Sequence, residues 1–225
     1  MVRGLLETLG TVLWFKAIKQ LPLTEVTALT YLCPLLIAIG AILFLGEKNR
    51  IYRWVALLIG FLGVIMVIHP KQEVLMPNIG AIFALGSAFC FATCGIILKI
   101  LTKTEGSQSV IFYMFLFTGF FSFVMAYSDL SLITLKPNII IFILIAVSYL
   151  FLQMAVAKAF SHAVLTLLMP FSFLGLIFVT IAGYAFFEEV PRITALFGGI
   201  IILGSVIGSA FYEGRRAKKK LSVLG

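Results

Sequence analysis

Eight stretches of this chain, approximately residues 4–19, 25–45, 52–68, 78–101, 110–127, 138–157, 162–187 and 193–212, are predominantly apolar and joined by short polar connections. A hydrocarbon core of roughly 30 Å takes about 20 helical residues to cross, and each stretch approaches that length. In lipid every backbone N–H and C=O must find a partner inside the protein, so such segments fold as helices, and the alternation that marks barrel strands is absent. The sequence therefore predicts an all-α membrane protein with eight transmembrane helices. Composition agrees: 62% of the 225 residues are apolar and 12% charged, about half the charged share of a soluble chain. So little polar surface cannot cover a core this rich in Phe, Leu and Ile, and the excess must face hydrocarbon.

The net charge of +8 raises a nucleic-acid reading, which the distribution of the charge excludes. Basic residues are scattered between apolar runs, without the basic stripe and interleaved aromatics that follow a phosphate backbone. The exception is Arg215, Arg216, Lys218, Lys219 and Lys220, a membrane-flanking tail over residues 213–225. Cytoplasmic loops carry the excess of Lys and Arg. With the tail inside, Arg3, Lys48, Arg50, Arg53, Lys99, Lys103 and Lys158 join it, leaving Lys16, Lys19, Lys71, Lys136 and Arg192 outside. The expectation is an inner (plasma) membrane protein with both termini cytoplasmic. The amino end mimics a secretory leader until Glu7 interrupts it and Lys16 and Lys19 occupy the cleavage region, so no removable leader is expected.

Cys33, Cys90 and Cys94 lie inside apolar runs and read as packing residues, with no metal site. Cys90 and Cys94 share a helix face but lack His or carboxylate company. An intramembrane enzyme would need a nucleophile with its base, and Ser161-His162 sits in a connection without a third partner. No P-loop or other nucleotide motif occurs, so no cofactor is expected, and any transport would run on a substrate gradient or by exchange.

An internal repeat carries more information. Leu43-Phe44-Leu45-Gly46-Glu47 with Arg50-Ile51 closes one apolar helix, and Ala185-Phe186-Phe187-Glu188-Glu189 with Arg192-Ile193 closes another. Glu47 matches Glu189 and Arg50 matches Arg192. Upstream each helix holds one proline, Pro34 and Pro170, slightly out of register, and downstream each copy continues as a Gly-rich helix. A repeat carrying the second helix onto the seventh has a unit of five spans, and odd units insert upside down relative to each other. The chain then reads as an incomplete inverted repeat (3 + 5) of a ten-helix transporter: residues 1–70 as the last three helices of a first unit, 78–212 as a complete second unit, and the first two helices lacking.

These residues resemble the EamA family of the drug/metabolite transporter superfamily. The resemblance rests on Leu21-Pro22-Leu23 through Tyr31 and Pro34, on Leu45-Gly46-Glu47, Arg53-Trp54, Gly60 and Gly63, and in the second half on Met169-Pro170-Phe171-Ser172-Phe173 and Glu189-Val190-Pro191. Within the superfamily the second-half motifs look most like the branch of S-adenosylmethionine uptake proteins and amino-acid exporters. One departure is Glu188, where relatives often have Gly. The resemblance implies a cavity on the first, second, fourth, sixth and seventh helices, with Trp14, Thr30, Tyr31, Phe91, Thr93, Tyr149, Gln153, Phe171 and Ser172 as substrate-cavity candidates. Tyr149 and Gln153, one turn apart, offer an aromatic plus an amide on one face.

Pro34 and Pro170 free a backbone carbonyl near mid-membrane and are the hinge candidates, with simple packing kinks as the plainer reading. Glu47 and Glu189 are gate or anchor candidates, each placed at a helix carboxyl end where Arg50 and Arg192 are expected to compensate them. Arg3 and Glu7 are spaced to pair along one helix face. Gly204 and Gly208, widened by Ser205 and Ser209, form a small-residue face open to packing within the bundle or to a homodimer contact. The function expected is secondary transport of a small organic metabolite, an amino acid or an S-adenosylmethionine-like compound. The competing readings are a non-transporting or partner-dependent remnant of such a transporter and an intramembrane enzyme.

Overall fold

The computed structural model describes residues 1–47, 50–68, 79–126, 139–187 and 193–221. The described residues are helical and contain no strand. The helices are α1 (Val2–Ile18), α2 (Leu23–Thr30), α3 (Cys33–Leu45), α4 (Ile51–Ile68), α5 (Ile79–Thr104), α6 (Ser107–Ala126), α7 (Ile139–His162), α8 (Leu165–Leu168), a 3-10 turn (Met169–Phe173), α9 (Leu174–Phe187) and α10 (Ile193–Leu221). Among the described residues six stretches are long and apolar enough to cross a membrane: Glu25–Leu45, Ile51–Ile68, Ile79–Thr104, Ile139–His162, Leu165–Ala182 and Ile193–Glu213, with Gln108–Val124 as a shorter apolar helix. The predicted segment 4–19 folds as α1, whose 17 residues carry Arg3, Glu7 and Lys16, and it is not one of the six.

Two of these stretches are broken, each at one of the predicted prolines. α2 runs into a turn at Tyr31-Leu32, where Leu32 N–H reaches only three residues back to Leu29 O. Pro34, early in α3, has no N–H to return to Thr30 and presses on that carbonyl, so the helix restarts rather than continues. The second break follows the same logic. α8 lasts four residues before Pro170 turns the chain into a 3-10 segment, and α9 resumes at Leu174. α3 then ends on Gly46 at φ 65, the left-handed backbone that suits a glycine. Glu47 N–H closes back onto Ala41 O at 3.2 Å.

α4 and α10 form the most extensive helix pair in the bundle. They are antiparallel: the Tyr52 ring at the start of α4 lies 4.4 Å from that of Tyr212 near the end of α10, while Gly63 meets Gly198 at the opposite end. The backbones touch reciprocally. A Cβ on Gly63 would fall 2.8 Å from Gly198 O, and one on Gly198 would fall 2.6 Å from Gly63 O. Glycine is what permits this approach. Around the seam Ile37, Ala41, Leu57, Val64, Leu98, Phe173 and Ile202 make the main core. A second cluster of Ala17, Leu21, Val26 and Ala84, joined by Trp14 and Leu29, ties α1 and α2 to α5. On α10 the small-residue face divides. Ser205 and Ser209 are buried, whereas a Cβ on Gly204 or Gly208 would meet nothing within 4 Å.

Gly63→Ala should therefore lower the melting temperature of the purified protein, since a methyl group forced against a carbonyl oxygen costs about 1–3 kcal/mol. Gly204→Ala should leave it unchanged or slightly raised. Thermal denaturation in detergent, followed by circular dichroism, separates the two, and equal melting points would contradict the close seam.

Candidate functional site

Polar groups inside an apolar bundle cost free energy unless partnered, so their positions mark where the chain departs from plain packing. The first such place joins α1 and α7. Tyr149 OH donates to Glu7 Oε1 at 3.0 Å, and Gln153 Nε2 donates to Tyr149 OH at 2.7 Å. The Phe115 ring of α6 stands edge-on to Tyr149, 5.7 Å between centroids. One turn before Glu7, Arg3 is 7% exposed, and among the described residues its Nε and Nη1 have no hydrogen-bond partner. The expected Arg3–Glu7 pair does not close. The Cys94 thiol of α5 donates to Arg3 O at 3.5 Å. Arg3 also lines a cavity of about 470 Å³ between α1, α5 and α6, with Gly4, Leu101, Glu105, Ser109 and Tyr113. That volume lies in the range of sites for small ligands.

The second place is the end of the bundle where α3 stops. Glu47 does not turn to Arg50. It accepts Leu165 N–H at 2.7 Å, Thr166 N–H at 3.0 Å and the Thr166 hydroxyl at 2.8 Å. One carboxylate thereby satisfies free donors at the start of α8 and places a negative charge at that helix amino end. Arg53, 5% exposed, donates to Thr166 Oγ1 at 2.9 Å and to Glu213 Oε1 at 2.9 Å. Arg50 pairs with Glu213 at 3.2 Å, and Tyr52 OH bonds to the same carboxylate. α3, α4, α8 and α10 thus share one polar layer. Nearby Lys99 Nζ donates to the Phe160 carbonyl and, at 2.7 Å, to that of Ala163.

The predicted cavity residues scatter around these two places. Tyr149 and Gln153 come together as their spacing implied. Tyr31 packs at its helix break against Phe173 of the 3-10 turn, 6.1 Å between ring centroids, and so joins the two broken stretches. Phe171 and Ser172 of that turn are exposed. Phe91 abuts Gly10 of α1, where a Cβ would come within 2.9 Å of its ring. Trp14 packs in the α1–α2–α5 cluster. The hydroxyls of Thr30 and Thr93 bond to their own helices, at Val26 O and Phe89 O. Glu189 and Arg192 lie outside the described residues. Ser161 and His162 bond each other at 2.8 Å on the exposed end of α7, and among the described residues no group of three His, Cys, Asp or Glu gathers to hold a metal.

Three residues escaped the sequence reading. Arg53 and Thr166 look like an ordinary flanking base and a helix threonine until the fold joins them. Glu25 reads as the polar start of a span, yet it is 1% exposed and neither carboxylate oxygen has a hydrogen-bond partner among the described residues. Its spacing from Leu29, one turn on the same face and packed in the α1–α2–α5 cluster, was the available signal.

Residues 1–69 and 78–211 match the model of the EamA-like transporter family. The chain is 30% identical to an S-adenosylmethionine uptake transporter of Rickettsia bellii, over 98% of this chain and 75% of that protein. It is 27% identical to a riboflavin transporter of Vibrio cholerae, over 99% and 74%, and 26% identical to a pseudopaline exporter of Pseudomonas aeruginosa, over 92% and 72%. These relatives are named as transporters and not as enzymes. A crystal structure superposes with a TM-score of 0.73 at 15% identity, covering 93% of this chain and 76% of that one, which supports the fold.

Glu47→Ala strands three donors, each costing about 1–3 kcal/mol when left unsatisfied away from water. Arg50 and Glu213 are 29% and 28% exposed, and a pair so wetted contributes about 0–1 kcal/mol. Glu47→Ala should depress the melting temperature far more than Arg50→Ala, and the double variant should show additive losses. A strong Glu47–Arg50 coupling in that cycle would contradict the observed partners.

Proposed function

Because the chain belongs to the EamA-like transporter family, we propose that it is a secondary transporter of a small organic metabolite, an amino acid or an S-adenosylmethionine-like compound. The observation that carries the reading is the meeting of the two broken stretches, with Tyr31 against Phe173 beside an α1–α7 contact that holds a carboxylate, a phenol and an amide. Interrupted helices expose backbone groups and give a bundle places to bend. Pro34 and Pro170 act as the hinges. Tyr149 and Gln153 face the substrate, with Trp14, Thr30, Tyr31, Phe91, Thr93, Phe171 and Ser172 around the path. Glu47 and Arg50 anchor one end, and Glu189 and Arg192 the other. The antiparallel α4–α10 seam supports the inverted-repeat reading, with residues 1–70 and 78–212 as its two parts. The basic tail places both termini in the cytoplasm.

A second reading has its own support. No residue in the best membrane window of Ile139–His162 is buried, against 28–39% in the other five candidate spans. This favours a working form in which two further apolar helices, in the same polypeptide or from a second chain, cover α7.

Reconstituted in liposomes, the chain should accumulate radiolabelled S-adenosylmethionine or an aromatic amino acid above empty vesicles. Pro34→Ala and Pro170→Ala should slow uptake about tenfold or more while inserting normally. Accumulation only in a version carrying two added upstream helices would favour the second reading, and no accumulation in either version would end the transporter proposal. Reporter fusions after Glu47 and after Glu189 should fall on opposite faces of the bilayer.

A further inference from the structure

The two ends of the bundle treat a carboxyl group in opposite ways. Where α3 stops, Glu47 accepts three donors and Glu213 is held by Arg50 and Arg53. At the other end, in the first turn of α2, Glu25 is 1% exposed and neither of its oxygens has a hydrogen-bond partner among the described residues. Its surroundings are apolar. Leu21 before it, Val26 beside it and Leu29 one turn on all pack with Ala17 and Ala84. The helices packed against α2 are α1, α4 and α5, and none brings it a countercharge. α1 ends in Lys16 and Lys19, both exposed, and Lys16 Nζ lies 5.8 Å over the Phe83 ring instead. Arg3 and Glu7 belong to the far end of α1. Residues 54–68 of α4 and 79–98 of α5 contain no charged residue. Of the titratable groups there, Cys90 meets Gly10 and Cys94 bonds Arg3 O, while the Ser87 hydroxyl bonds its own helix at Ala84 O. His69, Lys71 and Glu73, between α4 and α5, lie outside the described residues. An ionised carboxylate enclosed in this way is costly unless it is paired.

We infer that Glu25 is the proton-coupling site of this chain, holding a proton on its carboxyl while α2 is packed as it is here and releasing that proton to water when α2 swings out. The inference rests on the transporter reading and adds the coupled ion, where the sequence offered only a substrate gradient or exchange. The enclosure selects the proton. Without donor or countercharge the carboxyl is accommodated in its neutral form, and a metal cation would ask for about six oxygens where this place offers one carboxyl group. The placement of Glu25 supplies the motion. α2 is a short helix between its N-cap Pro22 and the turn at Tyr31-Leu32, so it can tilt without unwinding α3. Once wetted, the carboxylate is favoured by the amino end of α2, whose first N–H groups lack intrahelical partners. In that step the O–H bond breaks, the proton passes to water and its electron pair stays on the carboxylate. Repacking takes a proton back. The same short helix carries Thr30 and ends on Tyr31, both proposed for the substrate path, so proton release and substrate access share one moving part.

The test compares the wild type with Glu25→Gln, which keeps the shape and removes the exchangeable acid. Infrared spectra of the purified proteins in detergent at neutral pH give a readout that needs no transport. The wild type should show the carbonyl band of a protonated carboxyl, and Glu25→Gln should lack it. In liposomes, an imposed pH gradient should change the accumulation of radiolabelled S-adenosylmethionine or an aromatic amino acid by about tenfold in the wild type and leave it unchanged in Glu25→Gln. Exchange of labelled for unlabelled solute should stay alike in the two proteins. A merely structural role for Glu25 would lower gradient-driven accumulation and exchange together and would overturn the inference. A wild-type spectrum without the band, or accumulation indifferent to the pH gradient, would also overturn it, while uptake down a substrate gradient would leave the transporter reading standing. Neither uptake nor exchange in the wild type would remove both readings.

Discussion

The contact on which the architecture depends is the carboxylate of Glu47 on the amino end of α8. A helix that begins at the edge of a membrane has a general problem: its first N–H groups lack intrahelical partners where little water is available to bond them. The α3 terminus solves it for its neighbour. Gly46 turns the chain sharply, Glu47 N–H folds back on Ala41, and the side chain is delivered to the first turn of α8. The end of one broken stretch thus stabilises the start of the other.

Close packing distributes this constraint through the bundle. The Gly63–Gly198 contact brings α4 and α10 backbone to backbone, and their far ends carry Arg50, Arg53, Tyr52 and Glu213 into the same polar layer as Glu47 and Thr166. Large side chains at the seam would separate the helices and withdraw Arg53 from Glu213. Small residues within and bulky apolar ones outside, such as Phe178 and Ile200 at 70% and 64% exposure, are what lipid as solvent demands: no hydrophobic effect drives helix to helix there, so van der Waals contact and hydrogen bonds must hold the bundle.

What the sequence disclosed follows from which physics is local. Helix breaks at Pro34 and Pro170 were legible because a missing N–H acts within one turn. The Tyr149–Gln153 face was legible from its i, i+4 spacing. Pairing was not. Arg50 is close to Glu47 along the chain, yet the carboxylate prefers three donors that lie far away in sequence, because unsatisfied backbone near a membrane demands more than a wetted ion pair returns. Arg3 and Glu7 illustrate the opposite failure: their spacing announced a pair, yet Arg3 Nε and Nη1 have no hydrogen-bond partner among the described residues.

The two kinds of contact in the polar layer differ in how readily they come apart. Glu47 holds backbone amides, and releasing them would leave α8 with free donors and no substitute partner. Arg50 and Glu213, at 29% and 28% exposure, can exchange each other for water at small cost. Arg53 occupies an intermediate position, bonded to Thr166 on one side and Glu213 on the other while itself buried. The wetted Arg50–Glu213 contact is therefore the cheapest of these to exchange, while buried Arg53 and the Tyr52–Tyr212 rings keep α4 and α10 together at this end.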